Sequence, residues 1–484
     1  MATSPTAVEP RPAKERSEQE PLFPELVGAA PPSPAGPIGA AELAELATAP
    51  DIQLSKISQT LRFSMRQIEF VFKARRELGE VFRMQGVIPG GPIVTSHPDH
   101  VRSLFTAKPE QAPSLTGESP LRPIVGPNSV LTAIGPRHMR QRKLLLPPFH
   151  GEAIAQYTQM IDAAAEREID RWPVGETMAL APRMQAITLD VIMAGIFGIE
   201  GRPAPGTPEA ALRTAVKKGV NASTLPTAQL TELLHLGREE PMGPLKLVLD
   251  MLDRPTYKVI RARREAADLE ERRDILSLLL QARTEEGEAL DDKELRDELL
   301  TLVLAGHETT ANSLAWAWER LVRNPEPHAA LVEAVRRDED AEDRVEATIV
   351  ETMRNRPVIP IIGRRVQVPW RLGDYGVEPG TAIAMSILLV HHREDVYPDP
   401  FSFRPERWLG GRKPGTYDWI PFGGGIRRCL GAALAMAEQR VVLTAMARRL
   451  DLVADRPEAE RAMHRNVTMI PARGARVKIV AKHD

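Results

Sequence analysis

The stretch FGGGIRRCLG, residues 422–431, contains Cys429, the only cysteine among 484 residues. A thiolate can attack, be oxidised or bind a metal. Glycines at 423, 424, 425 and 431 let the backbone bend tightly and approach a flat ligand. The run behind the cysteine, LGAALAMAEQRVVLTAMARRL, is apolar with helical spacing. Cys429 is therefore expected at a helix N-terminus, where free N–H groups and the dipole favour a thiolate. Arg427 and Arg428 add positive charge, so the segment should favour an anionic sulfur and bind carboxylates. Four chemistries compete. A buried structural cysteine leaves the glycines and arginines unexplained. A phosphate loop wants a Gly-Lys-Ser/Thr ending, which is missing. A nucleophilic or redox cysteine wants a base or a second cysteine nearby, and the sequence supplies neither. Ligation of haem iron through the thiolate accounts for all three residue types together.

Further chemistry lies in AGHETT, residues 305–310. Gly306 weakens a helix, and threonine hydroxyls can bond back to carbonyls four residues earlier and bend it. Glu308 is otherwise a solvated helix charge, and Thr309 a core hydroxyl. His307 is not read as a metal ligand, because HETTA lacks the second histidine of H-E-x-x-H. His391 and His392 also lack a partner set. In ETMR, Glu351 and Arg354 share one helix face, which alone reads as a surface ion pair.

The elements that position these groups are mostly helical. Residues 292–323 form one long helical pattern, and another helix is expected over about 430–450. Residues 138–356 read as successive helices, EVFRMQG and GPIVTSH as two short strands joined by a turn at 89–91, and NVTMIPARGARVKIV as a hairpin turning near Arg473-Gly474. Residues 1–50, with PPSPAGP at 31–37, read as a flexible Pro/Ala-rich arm, and 51–484 as a single domain. The net charge of −2 gives no global attraction to nucleic acid. No apolar run approaches the ~20 residues of a bilayer span and no signal core opens the chain, so a cytoplasmic protein without a transmembrane anchor is expected, as a monomer.

The positions Phe422, Gly425, Arg427, Cys429 and Gly431 resemble the haem-binding signature F-x-x-G-x-R-x-C-x-G of the cytochrome P-450 superfamily without a mismatch. The resemblance implies a mainly α fold with a minor β part, and haem b (iron protoporphyrin IX) between a long kinked helix and the cysteine loop. Cys429 would be the iron ligand, Phe422 would pack beside the sulfur, and Arg427 would pair with a propionate. AGHETT resembles the family's oxygen-binding segment, which makes Thr309 the alcohol that hydrogen-bonds oxygen and Glu308 the acid that relays protons. Glu351 and Arg354 match the family's E-x-x-R pair, completed by Arg407 in FSFRPERW, with a structural role. GPRHMRQRKLLLPPF, residues 135–149, resembles the helix crossing one haem edge. There His138, standing where many members have Trp, and Arg142 would bind propionate. Arg364 is a further propionate candidate, with Arg365 nearly as good.

The family likeness runs from about residue 80 to the C-terminus and implies a soluble, bacterial-type haem-thiolate monooxygenase. It would insert one oxygen atom from O2 into a lipophilic small-molecule substrate by hydroxylation or epoxidation. Pocket residues are expected in 107–134, 200–250, 301–309, 358–362 and 467–470. The chain holds no flavin or nicotinamide unit, so a ferredoxin or flavodoxin with its NAD(P)H reductase is the expected electron source. Arg137, Arg140, Lys143, Arg427, Arg428 and Arg440 could form its basic docking patch. Two rivals remain: a peroxide-using or isomerising enzyme on the same fold, and a non-catalytic haem sensor or carrier.

Overall fold

A computed structural model describes residues 28–85, 91–119, 121–149, 152–199, 201, 203–223, 240–465 and 467–483. In chain order the main helices are α1 (Ala40–Glu45), α2 (Lys56–Met65), α3 (Gln67–Leu78), α4 (Pro98–Thr106), α5 (Gly135–Leu145), α6 (Glu152–Ile169) and α7 (Leu180–Phe197). They continue as α8 (Pro208–Ser223), α9 (Gly243–Arg264), α10 (Ile275–Gln281), α11 (Asp292–Leu321), α12 (Pro325–Arg337), α13 (Ala341–Asn355) and α14 (Ala432–Arg449). The strands are β1 (Ala35–Pro37), β2 (Ala47–Thr48), β3 (Val81–Arg83), β4 (Ile93–Thr95), β5 (Thr177–Ala179), β6 (Ile361–Arg365) and β7 (Trp370–Leu372). After them come β8 (Tyr375–Val377), β9 (Ala382–Ser386), β10 (Leu450–Ala454), β11 (Ala462–Arg465), β12 (Thr468–Pro471) and β13 (Arg476–Lys482).

α11 is the axis of the molecule. Its start is fixed by a capping box: Glu294 N donates to Asp291 Oδ1 at 2.7 Å, and Asp291 N donates to Glu294 Oε2 at 3.1 Å. Its 30 residues form one continuous helix. α7 packs along it, and one core joins both to α6, α12, α13 and α14. α7 is the one described helix long and apolar enough to cross a membrane, and it is largely buried in this core.

The sheets are small and peripheral, in the orders β1-β7-β8-β2, β3-β4-β9-β6, β10-β13-β5 and β11-β12. β3 and β4 pair antiparallel as expected, with Val81 opposite Thr95; residues 86–90 of the connecting turn lie outside the described residues. The expected C-terminal hairpin is corrected. The chain does turn at Gly474 (φ 75°), but β12 pairs with β11, while β13 pairs with β10 and β5. Ala472 N still bonds Arg461 O, so β12 keeps its first partner up to the turn.

From residue 28 onward the segment read as an arm lies against the rest of the chain. Proline-rich chain docks here through its backbone. Gly28 N bonds Val396 O at 2.7 Å, and Pro34 O accepts from Gly373 N at 2.8 Å. Ser33 N donates to Asp99 Oδ2 at 3.0 Å, and Pro31 O lies 2.8 Å from His97 Nε2. β1 is an edge strand, where the N–H that Pro37 lacks is not missed. Composition signals what such a segment cannot do, and is silent on partners supplied from elsewhere.

Candidate active site

Glu351 and Arg354 meet on α13 as a two-pronged pair, with Arg354 Nε and Nη2 each donating at 2.8 Å to one carboxylate oxygen. Arg407 Nε lies 3.5 Å from Glu351 Oε1, an ionic contact longer than a hydrogen bond. All three side chains are fully buried. Arg404 N and Trp408 Nε1 donate to the same carboxylate at 2.8 and 3.0 Å. The remaining donors find carbonyls: Arg354 on His391, Pro400 and Ser402, Arg407 on Pro398 and Asp399. This is a compensated buried network, not a surface pair. His391 extends it. Its Nε2 accepts from Ile420 N at 2.8 Å, which puts the imidazole proton on Nδ1. Burial, aided by the Arg354 charge, lowers its pKa to about 3. Ile420 leads directly into the cysteine loop.

The loop is closed by Cys429 N donating to Phe422 O at 2.9 Å. Gly425 has φ 61°, and a Cβ there would lie 2.2 Å from Phe105 O, so glycine is required by strain and space alike. Gly431 caps α14, and a Cβ on it would meet no protein atom within 4 Å. Cys429 and Phe422 both face one large cavity. Cys429 is open to that cavity while protein surrounds it otherwise. Burial pushes its thiol pKa up, against the Gly431 N–H, Arg142 and Arg428. α14 begins only at Ala432, beyond the cysteine. A bound metal cation would deprotonate the thiol outright.

The cavity measures about 1330 Å³, above the ~300–1,000 Å³ of ordinary ligand pockets. Its walls are largely apolar; the expected segments contribute Leu115, Val216, Leu249, Val303, Val358 and Val467 among others, while Phe63, Tyr157, Val191 and Ile192 come from outside them. His138, Arg142, Arg364 and Arg427 all line it. Arg427 donates to Val130 O at 3.1 Å, to Leu131 O and to Ala133 O. Arg142 Nη1 donates to Arg428 O at 2.8 Å. Arg364 reaches Gly363 O and Ser114 Oγ, at 3.1 and 3.5 Å, and lies over the Phe105 ring at 5.9 Å. No carboxylate among the described residues pairs with any of these three arginines. Burial lowers Arg364 and Arg427 to about 10 and, with the neighbouring cations, His138 to about 4. Buried cations without a counter-charge are costly. An anionic ligand edge, such as the two carboxylates of haem, supplies what the cluster lacks. The residues present therefore fit that group: a thiol, a glycine with open space before it, and unbalanced cations.

β6 separates the two arginine candidates by strand alternation. Arg365 turns away and is held by Glu118 at 2.6 and 2.7 Å, whereas Arg364 lines the cavity.

On α11, Gly306 allows contact with α7, since a Cβ there would come within 2.8 Å of Ile192 Cδ1. Thr309 Oγ1 makes the expected back-bond to Ala305 O at 2.7 Å, leaving its oxygen lone pairs toward the cavity it lines. Glu308 also lines the cavity, but its Oε1 is already engaged. Arg465 donates to it from Nε at 2.9 Å and Nη2 at 2.5 Å, and Thr468 Oγ1 at 3.3 Å. Reading motifs one at a time missed Arg465 and Thr468, which lie 157 and 160 residues away in sequence. His307 is buried, with its pKa lowered to about 4 by burial, and no metal-binding cluster occurs among the described residues.

A second network also escaped the sequence. Asp297 accepts from Asn128 N, Glu298 from Val130 N, and Thr301 Oγ1 bonds Ser129 Oγ at 2.6 Å. α11 thereby holds the loop whose carbonyls grip Arg427. Several cations of the expected basic patch have acidic partners. Arg140 pairs with Glu288 and Glu294, Lys143 with Glu285, and Arg440 with Glu346. Arg137 and Arg428 keep no carboxylate among the described residues, and Met139 and Ile426 are exposed near them in sequence.

The family model described as Cytochrome P450 matches residues 54–479. A Mycobacterium tuberculosis protein named "Putative cytochrome P450 138" is 36% identical over 429 residues, covering 88% of this chain and 95% of its own. Another from the same species, "Putative cytochrome P450 137", is 36% identical over 418 residues, covering 83% of each. The solved structure "Retinoic acid bound cyanobacterial CYP120A1" superposes with a TM-score of 0.75 at 22% identity, over 90% of this chain and 100% of its own. The fold is that of these haem-thiolate proteins, and the chain belongs to the cytochrome P450 family.

Proposed function

We propose that this chain is a monooxygenase that inserts one oxygen atom of O2 into a lipophilic molecule, using electrons from a separate protein donor. One observation carries the reading: the sole cysteine faces a large apolar cavity also lined by a buried arginine, Arg364, and two half-buried ones, Arg142 and Arg427, with no acidic partner among the described residues. Cys429 would hold the iron of haem b, with Gly431 leaving room for it. His138, Arg142, Arg364 and Arg427 would receive its propionates. When bound, haem supplies the oxygen activation and electron transfer.

The chain's own groups do the rest. The apolar walls bind the substrate and exclude water from it. Thr309, already bonded to Ala305 O, can accept a hydrogen bond at the cavity side. Glu308, held through Oε1 by Arg465 and Thr468, would relay protons beside Thr309. The brace of Glu351, Arg354 and Arg407 holds the cysteine loop through His391. The electron donor, a ferredoxin or flavodoxin with its reductase, would dock near Arg137 and Arg428. With most neighbouring cations neutralised internally, the salt dependence of that docking should be modest.

The test is spectroscopic. Reduced protein with carbon monoxide should show the Soret maximum of a thiolate ligand, and Cys429→Ala should abolish it. Retention of the band in the variant overturns the assignment, because no other cysteine can substitute. Turnover with NADPH and surrogate redox proteins, compared with peroxide alone, separates a monooxygenase from a peroxide user.

A further inference from the structure

The loop at 126–133 is held from two sides. Toward α11 it presents donors: Asn128 N and Nδ2 bond Asp297 Oδ2 at 3.2 and 3.1 Å, and Val130 N bonds Glu298 Oε1 at 2.8 Å. Toward the cavity it presents carbonyls, and those of Val130, Leu131 and Ala133 accept from Nη1 and Nη2 of Arg427. Between its two sides the loop is stiff. Ser129 O accepts from both Thr132 N and Ala133 N, at 3.1 and 2.8 Å, and Thr132 Oγ1 closes on Gly126 O at 2.6 Å. A Cβ on Gly126 would lie 2.2 Å from the Asp297 carboxylate, so the loop is pressed against α11. Val130 is the one residue of the loop that joins the two sides directly, through its N–H to Glu298 and its C=O to Arg427.

Glu298 is an unusual anchor. It is fully buried, and no cation pairs with it among the described residues, whereas its neighbour Asp297 has Arg296 at 3.0 Å. Its Oε2 is buried without a hydrogen-bond partner among the described residues. Burial pushes its pKa well up against the pull of the Val130 N–H, and Asp297 and Glu294 add to the rise. A carboxyl so placed stays a neutral acid at neutral pH. It accepts the Val130 N–H without adding negative charge beside a cluster of cations that lacks an anion. Glu298 is not among the residues lining the cavity, so any influence on a guest there must pass through the loop.

We propose that Glu298 is a positioning residue for the haem edge: by fixing Val130 it aims Arg427 at a propionate. The assignment rests on the haem reading of the cavity.

Transfer of haem from the loaded full chain to an acceptor protein reads this without turnover. Glu298→Met fills a similar volume with no acceptor, and should speed transfer about threefold to tenfold, as expected for losing one neutral hydrogen bond. Glu298→Gln keeps the carbonyl oxygen and puts a neutral donor where the acid O–H stands, so it should match the parent. The deciding measurement is the double-mutant cycle with Arg427→Leu. In that background Glu298→Met should change the rate less than twofold, because the arginine it aims is gone. A factor that repeats unchanged in both backgrounds overturns the proposal, since the residue would then be general scaffold. So does a parent-like rate for Glu298→Met, or a Gln variant as fast as the Met variant. Glu298→Ala serves the same cycle if the Met variant does not fold, and a failure of both to fold also marks Glu298 as scaffold. Failure of the haem reading looks different: the parent would take up no haem, or Arg427→Leu alone would leave transfer unmoved, and the proposal would fall with it.

Discussion

Two clusters of buried charge serve the cysteine loop, and they are built by opposite rules. Around Glu351, each arginine donor finds an oxygen or lies against the carboxylate, and Trp408 and a backbone N–H complete the anion's partners. Around Arg364 and Arg427, cations are gathered with carbonyls, one serine hydroxyl and the Phe105 ring for company, and no carboxylate among the described residues. The first cluster is finished by folding. The second spends stability until an anion arrives. A charge network closed within the chain therefore signals scaffolding, and one left open signals a binding edge.

The largest effect should come from opening the closed cluster. Glu351→Gln or Arg354→Ala leaves buried charge uncompensated and should cost about 3–5 kcal/mol in urea unfolding. A loss below about 1 kcal/mol would erase the contrast.

The open cluster should respond with the opposite sign. Arg364→Leu or Arg427→Leu should leave the haem-free chain as stable or up to ~1 kcal/mol more so. The same changes should speed haem transfer to an acceptor protein by roughly tenfold to a hundredfold, the worth of one charged hydrogen bond. If the haem-free variants unfold as readily as those of Glu351, the cations are scaffold after all.

Acid should sharpen the contrast further. His391 and His138 have pKa values lowered to about 3 and about 4 from an ordinary 6.5, chiefly by burial. Their neutral forms stabilise the fold fully above about pH 6.5, and that contribution is lost as pH falls toward the folded values. The slope is about 1.4 kcal/mol per pH unit for each imidazole still neutral. Bound carboxylates beside His138 would favour its charged form, so haem should blunt the acid loss at His138 and leave that of His391. Unfolding at stepped pH, with and without haem, reads both. Arg365→Ala is the smallest expected change, at most ~1 kcal/mol with haem retention untouched, because it breaks only a partly exposed pair.

Much of this was legible in the chain. Cys429, Gly425 and Thr309 sit in short motifs whose spacing is itself the mechanism, and the helices followed from periodicity. What stayed hidden depended on distant partners. ETMR cannot announce that Trp408 and Arg404 will close around its glutamate. Arg140 reads as a free cation until Glu288 and Glu294 arrive on another segment. Arg364 and Arg365 are adjacent and alike, and only strand alternation separates them.

The grip of Arg465 and Thr468 on Glu308 has a consequence for how such a protein can diversify. The hairpin that carries them also presents His464, Val467 and Thr468 to the cavity. A substitution that reshapes this wall for a new guest would shift the support of the acid as well. On this reading, guest range and the economy of proton use are inherited together, and lineages that broaden one would leak reducing equivalents until the other is retuned.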